Sequence, residues 1–310
     1  MRLSVVLVTG SQRERAQRVV DAVATQTAVG EIELVVVDLA PSNLPQLHVS
    51  EPLQSVYLKR PDIARWGIAR SEGVRAASGD AVAFIEDHCF PEPEWAETLI
   101  DAHTNAFGVI GYAFKSGNPE SFVARASLLG RYGNFVHPAH RQQASIVSGN
   151  NVSYKRDLLL SFGDALEDLL TIDFNLQEIL AKRGVPLFVE SRALAAHEHF
   201  TSVVREGITG HHYCRLLAAK RAQTQSWSWA RKVLHGIGAP LGSPVIRMWR
   251  LLHGLKGRRA LWPSAIRALP VITVEYLFDS VGESLGYLIG AGDAERWALH
   301  WELEASRSGK

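Results

Sequence analysis

Residues 61–95, PDIARWGIARSEGVRAASGDAVAFIEDHCFPEPEW, read as a helix, a short turn, an apolar strand and then three ligand-type side chains, Glu86, Asp87 and His88. In an open α/β sheet, ligands bind outside the carboxyl ends of the strands, and these three residues fall there. Packing gives no reason for two acids and an imidazole to close a buried strand. They suit a divalent cation that holds phosphate oxygens.

The same alternation extends to both sides. Residues 3–8 (LSVVLV) and 32–37 (IELVVV) are short β-branched runs, as strands buried on both faces should be. Residues 11–26 carry helical periodicity through Ala16, Val19, Val20 and Val23. Residues 55–58 read as a weaker third strand and 81–85 as a stronger fourth. Strands alternating with helices predict an α/β fold whose central sheet is mostly parallel, with right-handed crossovers. Further on, 95–106 reads as a helix and 107–112 as a strand, while 117–143 shows no clear period and receives no assignment. Residues 148–154 read as a turn entering a strand. Residues 157–162 and 172–183 are predicted helices, the second stopped by Gly184, and 185–189 a further strand.

After about residue 204 the texture changes to basic, Trp-rich helical segments, broken near 236–244 and near 254–263. The organisation expected is a catalytic domain over 1–204 and a helical appendage over 205–310. Hydrophobic content of 46% and charged content of 21% describe a folded chain. The net charge of +1 conceals an uneven distribution: eleven Lys and Arg lie between Glu206 and Arg267, and Glu206 is the one acid of that span. Trp227, Trp229, Trp249 and Trp262 interleave with those cations. A nucleic-acid surface uses the same ingredients, but no binding motif accompanies them, so no nucleic-acid partner is expected. A solvated helical hairpin is the bland alternative. The favoured reading is a set of interfacial helices, cations on anionic headgroups and Trp and Leu in the boundary. No stretch reaches the length of a spanning helix, since 269–289 is interrupted by Glu275, Asp279 and Glu283. Cys89 and Cys214 make no disulfide framework, and the first strand begins at once. A cytoplasmic setting, peripheral on the membrane, is expected.

Two nucleotide-binding signatures are missing. A dinucleotide fold wants G-x-G-x-x-G after its first strand, but Thr9-Gly10-Ser11-Gln12-Arg13 holds one glycine, and no P-loop motif occurs.

Ala69-Arg70-Ser71-Glu72-Gly73, then Ala76-Ala77-Ser78-Gly79-Asp80, then Glu86-Asp87-His88 with Pro91 and Trp95 resemble the motifs of family 2 glycosyltransferases, which use the GT-A nucleotide-diphospho-sugar-binding fold. Ser71 stands where Asn is usual, and Glu and His take the outer positions of the acidic cluster. The resemblance covers about residues 3–200. It implies that Thr9 and Asp38 hold the nucleoside and that Arg70 contacts its base or diphosphate. It implies that Glu86 and Asp87 bind the nucleotide and that Asp87, His88 and His197 hold Mn2+ or Mg2+. His favours the transition ion. Asp173-Phe174-Asn175-Leu176, followed by Arg183-Gly184, puts Asp173 where the family has its catalytic base, with Ile172 replacing the usual Glu. Glu167-Asp168 is the competing pair, and His199 follows His197 as a second imidazole. Asn150 and Asn151 match the turn near the acceptor, and Trp95 would form an apolar wall to it. Each position also has a structural reading: Asp38 as a strand-end turn former, Arg70 as a solvated helix charge, Asp173 as a helix-starting acid.

The resemblance thus implies inverting transfer of a sugar from a UDP- or GDP-sugar to a saccharide or lipid-linked acceptor, in cell-surface polysaccharide or glycolipid assembly. The rivals are a nucleotidyltransferase and a non-catalytic scaffold that kept the fold.

Overall fold

The structure, a computed structural model, describes residues 1–105 and 107–307. The chain packs as two compact units, Met1–Gly117 with His137–His197, and Asn118–Val136 with the chain from Glu198 onward. The passage expected near residue 204 therefore occurs at Glu198, and part of the unassigned 117–143 stretch belongs to the second unit.

In the first unit the chain runs β1 (Leu3–Thr9), α1 (Arg13–Ala24), β2 (Ile32–Asp38), β3 (Gln54–Lys59), α2 (Trp66–Ala76), β4 (Ala81–Glu86), β5 (Cys89–Pro91), α3 (Trp95–Thr104) and β6 (Val109–Ser116). After α4 (Phe122–Tyr132), which lies in the second unit, it returns through β7 (Gln142–Ala144), β8 (Val152–Lys155), α5 (Arg156–Leu160), α6 (Leu166–Leu169), α7 (Asp173–Lys182) and β9 (Leu187–His197). Among the described residues the strands form one nine-stranded sheet ordered β3-β2-β1-β4-β8-β6-β9-β5, with β7 paired on β9. The β3-β2-β1-β4 half is parallel, and β8 is antiparallel to both of its neighbours. The mostly parallel sheet read from the sequence is thus parallel in that half and mixed beyond β4. All of β1, β2 and β4 is buried, as their largely apolar sequences require, and the polar Ser4 of β1 donates to Glu33 of β2 at 2.5 Å. Their register places Thr9 opposite Asp38 and Val8 opposite Glu86, at one end of the sheet. Helix α2 lies close on β1 because residue 73 is glycine: a Cβ there would stand 2.4 Å from Cγ1 of Val6.

The last strand differs most from its sequence reading. Expected over 185–189, β9 runs to His197 because β6 and β5 supply backbone partners to residues 190–197, which received no strand assignment from the sequence. That extension sets His197 opposite Cys89, beside His88.

The second unit holds α4, α8 (Val203–Thr224), α9 (Trp229–Gly254), α10 (Trp262–Ile289) and α11 (Ala294–Leu303). Ser121, Ser202 and Ser228 cap α4, α8 and α9 through their side-chain oxygens. The break expected near 236–244 is absent: α9 continues through Pro240 and Pro244. Pro240 removes the N–H that would serve the carbonyl of Gly236, and the Ser284 hydroxyl donates to that carbonyl instead, at 2.7 Å. The break near 254–263 is present between α9 and α10. Trp227 is buried and stacks on Tyr287, with ring centroids 5.1 Å apart. Arg215, Arg247 and Arg258, read as part of a basic surface, are spent on Gly290 O, on Asp279 and Glu283, and on the carbonyls of Gly133 and Val136. Among the described residues, no helix is long and apolar enough to cross a membrane.

Candidate active site

The site is assembled where β4, β9 and the turn before β8 meet. Glu86 ends β4 and is buried. Its Oε1 accepts from Asn150 Nδ2 at 2.8 Å and its Oε2 accepts from Asn151 Nδ2, while Asn151 Oδ1 accepts the Glu86 N–H at 3.0 Å. His197 Nε2 lies 3.0 Å from Glu86 Oε2, and His88 Nε2 lies 3.7 Å from the same oxygen. The two imidazoles meet edge to face with centroids 4.7 Å apart. One ligand atom from each of Glu86, His88 and His197 lies within 4.8 Å of the other two.

Asp87 lies on the other side of the His88 ring. Its carboxylate accepts from Arg15 Nη2 at 2.8 Å and meets Nδ1 of His88 at 3.1 Å. The ligand set expected from the sequence was Asp87, His88 and His197; the set brought together is Glu86, His88 and His197. The reason is Arg15, whose buried guanidinium faces Asp87 from α1. Asp87 instead orients His88 from behind, as carboxylates commonly do for metal-binding imidazoles. Two imidazoles and one carboxylate are a donor set that fits a divalent transition ion better than Mg2+.

Arg70 and Asp173 form a buried bidentate pair. Arg70 Nη2 donates to Asp173 Oδ2 at 2.9 Å, Nη1 donates to Oδ1, and further bonds reach the carbonyls of Leu170 and Asn150. The guanidinium carbon also sits 4.0 Å over the Phe84 ring. Burial works against its charge, but Asp173 outweighs this and raises Arg70 above its ordinary value. The Asn150 N–H donates to Asp173 Oδ2 at 2.9 Å, so both carboxylate oxygens are engaged. Asn150 thereby joins this pair to Glu86, from a left-handed backbone at φ 60 that Asn tolerates better than most residues. The competing Asp168 is two-thirds exposed and pairs with Arg65.

At the ends of β1 and β2, Thr9 is fully buried and its hydroxyl has no hydrogen-bond partner. Asp38 accepts from Arg13, Tyr57, Lys59 and the Ala40 N–H. Burial pushes its carboxyl up, yet these four donors together hold it below the usual carboxylate range.

The model of the family described as glycosyl transferase family 2 matches residues 4–161, half of the chain. The chain belongs to glycosyl transferase family 2. Among curated proteins it is 30% identical over 101 residues to a glucosyl-dolichyl phosphate glucuronosyltransferase of Haloferax volcanii; the match covers 31% of this chain and about a third, 32%, of that relative. Among solved structures, a mannosyltransferase from Pyrobaculum calidifontis in complex with GDP-Man and Mn2+ aligns with a TM-score of 0.51 at 17% identity, over 96% of this chain and 87% of that one. TarS 1-349 of S. aureus aligns with a TM-score of 0.47 at 16% identity, over 92% and 91%. The fold is GT-A, with a helical region following it.

In this family 2 chain, then, Glu86, His88 and His197 converge, Asp87 stands behind them, and Asp173 and Arg70 face each other one residue turn away through Asn150. Thr9 and Asp38 lie together at the ends of β1 and β2. Trp95 is no acceptor wall: it is fully buried, edge to face with Tyr112 at 5.4 Å. His199 falls in the second unit, with Nδ1 3.2 Å from Glu206. Sequence reasoning passed over Arg15 and the group Arg13, Tyr57 and Lys59. Arg15 carried a signal, since it stands four residues before Val19 on the apolar face of α1.

Proposed function

We propose that this chain moves a sugar from a UDP- or GDP-sugar to an acceptor hydroxyl in a single displacement that inverts the anomeric carbon. The observation that carries this reading is the convergence of Glu86, His88 and His197 at the carboxyl ends of strands in a family 2 sheet. A divalent ion, Mn2+ before Mg2+, would act there as a Lewis acid on the leaving diphosphate. Thr9 and Asp38 flank the nucleoside. Asp173 takes the proton of the acceptor hydroxyl as that oxygen bonds to the anomeric carbon, and the nucleoside diphosphate leaves with the electrons of the broken bond. Arg70 must release at least one oxygen of Asp173 for this step, which makes it a positioning residue, with the diphosphate as its alternative anion.

The Pyrobaculum calidifontis neighbour is a complex with GDP-Man and Mn2+, which supports a nucleotide-sugar and that ion. The name of the Haloferax volcanii relative contains a dolichyl phosphate, which supports a lipid-linked over a free saccharide acceptor. The reading places residues 205–310 at the cytoplasmic face of a membrane and the reaction in cell-surface polysaccharide or glycolipid assembly. A non-catalytic scaffold is the second reading, and the closed Arg70–Asp173 pair favours it.

Calorimetric titration of UDP and of GDP, with and without Mn2+, tests the reading. Binding of one nucleotide that strengthens with Mn2+ is expected. Absence of binding of both removes the donor class; binding without any turnover of the matching sugar donor moves the chain to the scaffold.

A further inference from the structure

Helix α10 turns its acids inward, and both α9 and α10 turn apolar side chains outward. On α10, Glu275 and Asp279 are fully buried, and Glu283 is largely so. Arg131 pairs with Asp279, and Arg247 reaches both Asp279 and Glu283. The outer faces are apolar. Leu234, Ile237, Leu241, Val245 and Trp249 recur every three or four residues along α9 and are 62–82% exposed. On α10, Ile266, Val274, Leu277, Val281 and Leu288 lie one or two helical turns apart and are 40–60% exposed. Isolated apolar side chains are common on protein surfaces, whereas two adjoining helices each showing a full stripe mark a surface that something covers.

The charge around the stripes has one sign. No Asp or Glu occurs from residue 207 to residue 274, and Arg231, Arg250, Lys256, Arg259 and Arg267 are exposed. A second copy of the chain seated on this face would bring like charges together, and an anionic surface would not.

We propose that the outer face of α9 and α10 is a docking surface for an anionic lipid bilayer. The apolar stripes enter the boundary between headgroups and acyl chains, and the flanking guanidinium and ammonium groups meet the headgroup phosphates. The helices lie on the bilayer and do not span it. The inference deepens the proposed membrane location of the acceptor and rests on that part of the reading alone, so it stands or falls independently of the donor chemistry.

The experiment is co-sedimentation of the full chain with vesicles of phosphatidylcholine alone and of phosphatidylcholine with phosphatidylglycerol. The comparison variant is Leu241→Glu with Val245→Glu, two positions in the exposed stripe. Light scattering gives the oligomeric state of both proteins, and thermal melting confirms that both are folded. Wild type should bind the anionic vesicles at least roughly tenfold better than the neutral ones, and the variant should lose about tenfold or more. Equal binding by wild type and variant overturns the proposal, as does no binding of wild type to anionic vesicles. A wild-type dimer that the variant splits assigns the face to a second copy and overturns it too. UDP and GDP titrations on the variant should match wild type, so failure at the membrane is told apart from failure of the donor reading.

Discussion

The guanidinium of Arg70 closes on both carboxylate oxygens of Asp173, and neither side chain is exposed. Asn150 adds its N–H to the same carboxylate and its side chain to Glu86. The two acids proposed for proton transfer and for metal binding are thus held by one residue. A carboxylate that is buried, paired and doubly hydrogen-bonded is a poor base until its partner moves, so the proposed mechanism requires this pair to open before proton transfer.

Asp173→Asn should therefore do two things. It leaves Arg70 buried without its counter-charge, which costs about 3–5 kcal/mol of stability, and it removes the proposed base. The double variant Arg70→Met with Asp173→Leu separates the effects, because an apolar pair of similar bulk restores much of the stability. Denaturant unfolding should show that recovery while donor turnover stays absent. Turnover by the double variant at the wild-type rate would rule out Asp173 as the base.

Manganese titrations distinguish ligands from their supports. His88→Ala and His197→Ala should each weaken Mn2+ binding by roughly a hundredfold, and Asp87→Asn by roughly tenfold, since Asp87 acts through the His88 ring. Electron paramagnetic resonance of free Mn2+ reads all three directly. Asp87→Asn as damaging as His88→Ala would return Asp87 to the ligand set.

Gly73→Ala probes the seat of α2 on β1. The new methyl would stand 2.4 Å from Cγ1 of Val6, a β-branched side chain on a buried strand with little room to turn. A loss of about 1–3 kcal/mol is expected in urea unfolding, from overpacking. A change below about 0.5 kcal/mol would mean that the helix yields freely, and that the glycine is not needed for the close approach.

The buried acids of the second unit make stability depend on pH. Burial pushes the Glu275 carboxyl from an ordinary 4.5 up to about 8, against the pull of Arg131. The folded state then binds the proton more tightly than the unfolded chain, so stability falls as pH rises from about 4.5 to about 8 and levels off above. Glu206 acts in another window: burial opposes its charge, but His199 and Arg131 hold it far below its ordinary value, so its contribution is lost only as pH falls below that value. Glu275→Gln should therefore raise the melting temperature at about pH 8.5 by several degrees and change it little near about pH 5. Equal shifts at both would assign the effect to packing and not to ionisation.

The parallel half of the sheet was legible because burial on both faces leaves largely apolar, β-branched runs, and β1, β2 and β4 differ from their sequence readings by a residue. Glu86-Asp87-His88 was legible as a site because no packing need explains it. Helix α4 lay hidden in an aperiodic stretch of Gly, Pro and aromatic residues. The path of α9 was misread at Pro240, because the hydroxyl that serves the Gly236 carbonyl comes from Ser284, forty-eight positions away.

By itself, the sequence determined the strand–helix alternation, the family motifs on α2 and β4, and the uneven placement of charge. These are local: each rests on side chains within one element and on whether that element can be buried. Which acid joins the two imidazoles was decided by tertiary structure alone. Glu86 and Asp87 are neighbours in the chain, but Asp87, paired with Arg15, meets the Nδ1 side of His88, whereas Glu86 faces the Nε2 atoms of both His88 and His197. The same holds for α10: in the sequence its acids only interrupt an apolar run, and in the structure Asp279 is buried against Arg131 and Arg247. Charge seeks its partner through space, and the partner's place along the chain does not reveal it.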